Sequence, residues 1–304
     1  MRLPPPAPSE REQLAASPAY ALLFLAFLLH LTLGTYFQRA YLPFGIAYGQ
    51  IFFFFGIPWL AAGALDLSRS QFFALSPPRP LAWPWVLLAA FAGFMLAGGL
   101  NTLNQWVVGE ELARFFDSTQ VLRGRPFSEQ LLVALGVTLL APVGEEFLFR
   151  GYLLRVFRAR YGTLAALLVT SALFAAAHLN PASLVALFGL GLVFGLLRIV
   201  SGSLLPALLA HGLQNGITAA VVLFGEVPSS EPELSPPTAL LFVLGTLPLI
   251  WLAANMVQKV AVPETSERAL APDSPRLDLA RIRKESAIWV GAALLSGLLF
   301  VVAR

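Results

Sequence analysis

The chain has 304 residues, of which 57% are hydrophobic and 12% charged, with a mean hydropathy of +0.74 and a formal net charge of +3. This composition excludes an ordinary water-soluble domain, because several apolar runs reach the roughly 20 residues that a helix needs to cross a bilayer. The absence of cysteine excludes disulfides, thiolate catalysis and Cys-ligated zinc. We therefore expect an all-α, polytopic transmembrane helical bundle of about eight to nine spans.

The first part of the chain predicts a polar tail and three spans. Residues 1–17 are rich in proline and polar side chains and predict a disordered cytoplasmic tail. Apolar runs then predict spans over residues 18–36, 44–65 and 81–107. The stretch 110–130 mixes charged and aromatic residues, and we interpret it as a solvated or interfacial segment.

The second part of the chain predicts six further spans. The fourth span begins near Glu129 and stays helical to about Arg158, and the pair Tyr161-Gly162 breaks the helix. We expect the sixth span to begin at Asn180-Pro181, with the proline in its first turn. The six predicted spans cover residues 129–158, 163–179, 180–200, 204–224, 238–257 and 287–302.

The basic residues predict how these spans are oriented. Nine spans place the two termini on opposite sides, and 15 of the 20 Lys and Arg residues fall on the side of the N terminus. The positive-inside rule then predicts a cytoplasmic N terminus. Since the preference for arginine, alanine and leucine is typical of a bacterial protein, we expect the inner (cytoplasmic) membrane of a cell.

Two adjacent carboxylates and an arginine follow the apolar run 131–141: Glu145, Glu146 and Arg150. A charged side chain at the bilayer centre costs on the order of 3 kcal/mol or more, so this group predicts a functional site. Glu146 and Arg150 are spaced for an ion pair on one helix face, which is also the structural alternative for the motif. The Glu145 side chain points about 100° around the helix axis from that of Glu146, so it remains available to other partners.

Two histidines and an asparagine are placed to join this group. Glu145 and His178 lie equally far from the break at Tyr161-Gly162, so an antiparallel helix pair brings them to one depth. His211 falls at a compatible depth in the next hairpin, and Asn215 lies one turn later on the same face. Core packing or an interhelical hydrogen bond explains each histidine alone, but the convergence of all these residues on three neighbouring spans favours a site.

These motifs resemble those of the CPBP intramembrane endopeptidases, which include type II CAAX prenyl proteases and bacterial relatives linked to bacteriocin processing and immunity. The three matching motifs are Glu145-Glu146-x-x-x-Arg150, Phe174-x-x-x-His178 and His211-x-x-x-Asn215. The resemblance implies that Glu145 and His178 activate a water, that Glu146 and Arg150 support the site, and that His211 and Asn215 hold the oxyanion. It also implies that Phe174 shapes the substrate pocket.

The resemblance divides the chain into four regions. Residues 1–17 form the tail, 18–128 the N-terminal spans with the interfacial segment, 129–225 the CPBP-like catalytic helical core, and 226–304 a linker with the C-terminal spans. The expected substrate is a membrane-anchored protein or peptide within the lipid bilayer. A bacteriocin leader or the C-terminal anchor of a surface protein fits this class. The sequence has no nucleotide-binding glycine loop, and we expect neither a nucleotide nor a nucleic acid as a partner.

Three alternatives stay open at this point. Glu145, His178 and His211 include ligand types that zinc takes, although we favour a metal-free glutamate mechanism because asparagine is a poor zinc ligand and no His-Glu-x-x-His motif is present. A transporter also places ionisable residues at the membrane midplane, but usually with repeated halves, which the sequence lacks. A non-proteolytic scaffold or immunity protein keeps the fold without turnover.

Overall fold

Helices account for nearly all of the residues described in the computed structural model, which are 18–63, 68–117, 122, 124–225 and 234–261. Within those ranges the helices are α1 Ala19–Ala40, α2 Leu42–Gly63, α3 Arg69–Phe72, α4 Pro80–Val108, α5 Glu110–Phe115, α6 Phe127–Tyr161, α7 Thr163–Ala177, α8 Leu184–Ser201, α9 Leu205–Phe224 and α10 Pro236–Ala261.

Seven of these helices are long and apolar enough to cross a membrane, namely α1, α2, α4, α6, α8, α9 and α10. The described ranges contain no strand. The expected all-α, multi-pass membrane architecture is therefore confirmed. The predicted fifth span corresponds to α7, which is apolar but has only 15 residues. The predicted tail 1–17 and the predicted ninth span 287–302 lie outside the described residues.

The longest helix, α6, carries the acidic motif, and its path is not that of a regular α-helix. It runs for 35 residues and ends where predicted, at Gly162, whose φ of +81° suits a residue without a side chain. Two π-helical segments interrupt it, Gly136–Leu140 and Phe147–Leu153. Such segments are wider than the α-helix and occur frequently at functional sites.

The connection between α7 and α8 differs from the prediction, because Pro181 is not in the first turn of a helix. Leu179 has a φ of +49°, and the Asn180 side chain accepts a hydrogen bond from the Ala182 N–H. This turn delays the start of α8 to Leu184. The Asn104 amide of α4 donates to the Pro181 carbonyl at 2.8 Å, which fixes the turn against the bundle.

Small residues bring α7 and α8 into close contact, among them Gly191 and Gly195, which lie one helical turn apart. A Cβ at Gly191 would lie 2.9 Å from the Ser171 Cβ, and one at Gly195 would lie 2.4 Å from a methyl group of Leu167. Larger side chains would therefore separate the two helices. This packing holds the helix that carries Phe174 and His178 against the helix that lines the buried end of the site.

Candidate active site

The motif residues of α6 meet His211 of α9 in a fully enclosed ion cluster. Arg150 and Glu146 are both completely buried, and the Arg150 guanidinium donates to Glu146 Oε1 at 2.7 Å. His211 Nδ1 lies 2.9 Å from the same oxygen. The ion pair that the i, i+4 spacing indicates is therefore present, and its carboxylate also holds an imidazole from another helix.

Aromatic rings and a backbone carbonyl enclose the Arg150 guanidinium. Its carbon lies 4.3 Å from the centre of the Phe174 ring and 5.4 Å from that of Phe194. A second nitrogen donates to the Gly191 carbonyl at 3.1 Å. These contacts offset part of the large cost of burying a guanidinium, and Glu146 offsets its charge.

Glu145 points to a different side of α6, and its two oxygens have different surroundings. Oε1 accepts a hydrogen bond of 3.2 Å from the Gln50 amide of α2. Oε2 lies 3.9 Å from His178 Nε2 and 3.8 Å from His211 Nε2, which is beyond direct hydrogen-bond distance. The three side chains that the sequence predicts to converge are therefore brought together around this oxygen.

The bonds of the ring nitrogens indicate which of them carries hydrogen. His178 Nδ1 lies 2.8 Å from the Phe174 carbonyl, an oxygen that only accepts, so Nδ1 is the donor. His211 Nδ1 faces the Glu146 carboxylate in the same way. When these rings are neutral, each Nε2 therefore presents a lone pair toward Glu145 Oε2.

Phe174 forms a wall shared by the two histidines. Its ring meets the ring of His178 edge to face at 4.9 Å and that of His211 at 5.7 Å, and the Phe174 side chain is buried. It therefore shapes the space between the imidazoles while also covering Arg150.

Asn215 lies one helical turn beyond His211, but its amide forms a hydrogen bond with the backbone of α6. The amide donates to the Val137 carbonyl at 2.8 Å. In the π-helical segment of α6 the Ala141 N–H bonds to Gly136, and the next donor in this pattern is missing because residue 142 is proline. Asn215 therefore supplies the donor that Pro142 cannot give to Val137. One amide hydrogen remains for another acceptor.

Buried polar atoms without a hydrogen-bond partner are concentrated here. Seven side-chain atoms are in this condition within the described part of the chain, and four belong to Gln50, Glu145, Glu146 and Arg150. Buried polar atoms in a purely structural core are nearly always satisfied, so this concentration favours a functional interpretation.

Gln50 is not among the site residues that the sequence predicts. A usable signal was present, because Gln50 is a carboxamide inside the otherwise apolar run 44–65. Its partner was not deducible, since nothing in the spacing relates α2 to α6.

The described side chains are not arranged as the zinc site that the metal-dependent alternative requires. In the described ranges, no group of three or more His, Cys, Asp or Glu side chains is arranged to hold a metal ion. Glu145, His178 and His211 have suitable ligand atoms, but the 3.8 and 3.9 Å separations exceed those of roughly 3.3 Å between ligands at tetrahedral zinc.

Known proteins match the part of the chain that builds this site. Residues 127–217 match the family model described as type II CAAX prenyl endopeptidase Rce1-like. This region is therefore similar to the type II CAAX prenyl endopeptidases. It includes every motif residue of the site, whereas Gln50 lies outside it. This match agrees with the resemblance that the three motifs carry.

Two relatives extend this similarity. An uncharacterized 24.3 kDa protein of Escherichia coli is 42% identical over 98 residues, which are 31% of this chain and 45% of that protein. The membrane-embedded CAAX protease MroQ of Staphylococcus aureus (strain USA300) is 29% identical over 161 residues, 48% of this chain and 60% of that protein. The chain thus spans about half the length of these relatives. No solved structure matches it.

Proposed function

We propose that the chain is an intramembrane endopeptidase, which hydrolyses a peptide bond of a membrane-associated protein or peptide with a water activated by Glu145. The observation that carries this proposal is the convergence of His178 Nε2 and His211 Nε2 on Glu145 Oε2 at 3.8–3.9 Å. The similarity of residues 127–217 to the CPBP family supports the same class of reaction.

In this proposal the attacking water donates one hydrogen to Glu145 Oε2 and the other to His178 Nε2. Both atoms are acceptors when His178 is neutral, so a lone pair of the water oxygen is left to attack the peptide carbonyl. Glu145 takes the proton as the C–O bond forms. The same proton then passes to the leaving nitrogen as the C–N bond breaks, which yields a carboxylic acid and an amine and regenerates Glu145; the new acid then gives its proton to the amine, so the products leave as a carboxylate and an ammonium.

His211 and Asn215 are the proposed oxyanion donors. Because His211 Nδ1 already holds a hydrogen toward Glu146, Nε2 donates to the oxyanion only when the ring carries a second proton. Asn215 contributes the amide hydrogen that its bond to Val137 leaves available, and such donors lower the barrier by stabilising charge that develops in the transition state.

The partner in this proposal is a peptide that enters from the bilayer, and no resident metal is assigned. The more open side of the site is formed by His178, whose side chain is 33% exposed, against 14% for Glu145. His178 directly follows the last residue of α7, Ala177, and begins the turn 178–183. We therefore propose that the scissile bond approaches from the end of the bundle that carries this turn, opposite the Arg-rich end of α6.

Cleavage by the purified protein tests the proposal. The full chain in proteoliposomes is incubated with tagged candidate substrates, chosen by comparing membrane proteomes of cells with and without active protein. Wild-type protein should produce discrete fragments, and Glu145→Gln should not. Glu111→Gln is the matched control, because Glu111 belongs to an exposed Glu pair outside the site. Fragments that appear equally with Glu145→Gln would reject the function.

A further inference from the structure

We infer that Gln50 of α2 is a positioning residue for Glu145, supplied from outside the region that matches the CPBP family. This inference rests on the proposed function. Gln50 is 7% exposed, and its side chain reaches across from α2 to donate to Glu145 Oε1 at 3.2 Å. The donor is the amide nitrogen, because a carboxylate oxygen accepts hydrogen bonds.

The hydrogen bond from Gln50 gives the two Glu145 oxygens different roles. With Oε1 held by Gln50, rotation of the carboxylate is restricted and Oε2 stays directed at the two histidine Nε2 atoms. A carboxylate that rotates freely spends part of its time with neither oxygen correctly placed, and a displacement of about 1 Å at a reacting group costs on the order of 100-fold in rate.

The neutral amide also suits a base. Glu146, one residue later, is held by the cation of Arg150. A carboxamide orients Glu145 without adding a positive charge. The sequence therefore places a charged partner on one glutamate and an uncharged partner on the other.

The backbone of α6 is shaped to admit Gln50. A Cβ at Gly144 would lie 2.4 Å from Gln50 Oε1 and 2.8 Å from the Gln50 carbonyl oxygen. Any side chain at position 144 would thus displace α2 from the residue that precedes Glu145. The close approach of the two helices and the hydrogen bond are parts of one arrangement.

A purely structural role explains Gln50 less well. Its Oε1 is buried without a hydrogen-bond partner among the described residues. Leaving such an atom unpaired destabilises the fold, and an apolar side chain of similar size would avoid this loss. The orientation of Glu145 accounts for an amide at this position despite that cost.

Gln50→Met tests the inference, because methionine has a similar length and no N–H to donate. We expect kcat to fall roughly 10- to 100-fold while KM changes less than about 3-fold. The control is Phe53→Leu. Phe53 is equally buried in the same segment of α2, but it packs against Tyr48 rather than the site. Its substitution should lower the melting temperature and leave kcat unchanged.

A second readout tests the hydrogen bond without relying on cleavage. Infrared spectra of the full chain give the carboxylate stretching band of Glu145, assigned by its loss in Glu145→Gln. Gln50→Met should shift this band and Phe53→Leu should not. An unshifted band, or a kcat within 2-fold of wild type, overturns the positioning role. If wild-type protein cleaves nothing, the proposed function fails, and the band still decides whether Gln50 orients Glu145.

Discussion

Glu145 and Glu146 are neighbours in the sequence, but the fold gives them opposite surroundings. Glu146 is completely enclosed, and one of its oxygens contacts both a guanidinium and an imidazole. The Glu145 side chain retains 14% exposure and is held by a neutral amide, with its second oxygen facing two imidazoles. Arg150 thus pairs with Glu146, whereas Glu145 keeps the accessible surface that a reacting group needs.

The two glutamates have different surroundings because they point to different sides of α6, and different helices pack against those sides. Successive residues of a helix point about 100° apart, so the adjacent glutamates point to different sides of α6 and share His211 as a neighbour. Glu146 faces α8 and α9, where aromatic rings and His211 close around it. Glu145 faces α2 and the end of α7, where the chain turns at His178. A side chain at a helix end has fewer neighbours, which is why this side stays accessible.

The largest effect that tests this contrast is expected for Glu145→Gln. The amide keeps the size of the side chain but cannot take a proton from water, so cleavage should fall by roughly 100- to 10,000-fold. The folded protein should persist, since Glu145 contributes no ion pair with Lys or Arg in the described ranges. Single-turnover cleavage and the melting temperature measure the two parts of this expectation. Turnover above about a tenth of wild type contradicts the assignment of the base.

Arg150→Ala should show the opposite pattern, with stability lost first. Removing the guanidinium leaves the Glu146 charge buried beside His211 alone, and breaking a buried pair costs about 3–5 kcal/mol. We expect poor expression and a lower denaturation midpoint in detergent. Arg114→Ala is the control, because Arg114 forms an exposed i, i+4 pair worth little. Equal stability of Arg150→Ala and wild type would remove the distinction between the two glutamates.

Much of this contrast is readable in the sequence. Apolar runs of span length predict seven helices to within a few residues, and the i, i+4 spacing predicts the Glu146–Arg150 pair. Equal distances from the break at Gly162 predict that Glu145 and His178 meet. These features are predictable because they depend on helical periodicity and on a turn that glycine marks.

Other features depend on contacts that periodicity does not encode. The late start of α8 follows from the Asn180 turn and from Asn104 on a distant helix. The bond between Asn215 and Val137 requires the π-helical segment before Pro142, and no sequence spacing signals that segment. Gln50 reaches Glu145 only because α2 packs closely on Gly144. Each depends on which helix faces which.

Asn215→Ala tests whether Asn215 acts as an oxyanion donor or only as a structural hydrogen-bond donor to α6. If the amide stabilises the transition state, kcat should fall roughly 100- to 1000-fold, about 3–4 kcal/mol, with KM little changed. Losing the bond to Val137 should also lower stability by about 1 kcal/mol. Thr218→Ala is the control, because the Thr218 hydroxyl donates to the Gln214 carbonyl of its own helix. A destabilised but fully active Asn215→Ala removes this residue from the site and leaves it a structural donor to α6.

The smallest effect is expected from metal removal, and it decides whether Glu145 acts as a base or as a ligand. A base that takes its proton directly from water needs no zinc, so prolonged dialysis against a strong chelator should leave kcat within about 2-fold, and elemental analysis should find less than about 0.1 zinc per chain. The chelated protein is assayed again after zinc is added. Activity that is lost on dialysis and restored by zinc would assign Glu145, His178 and His211 as ligands. The two histidine Nε2 atoms would then have to move closer to Glu145 Oε2 than the 3.8 and 3.9 Å seen here.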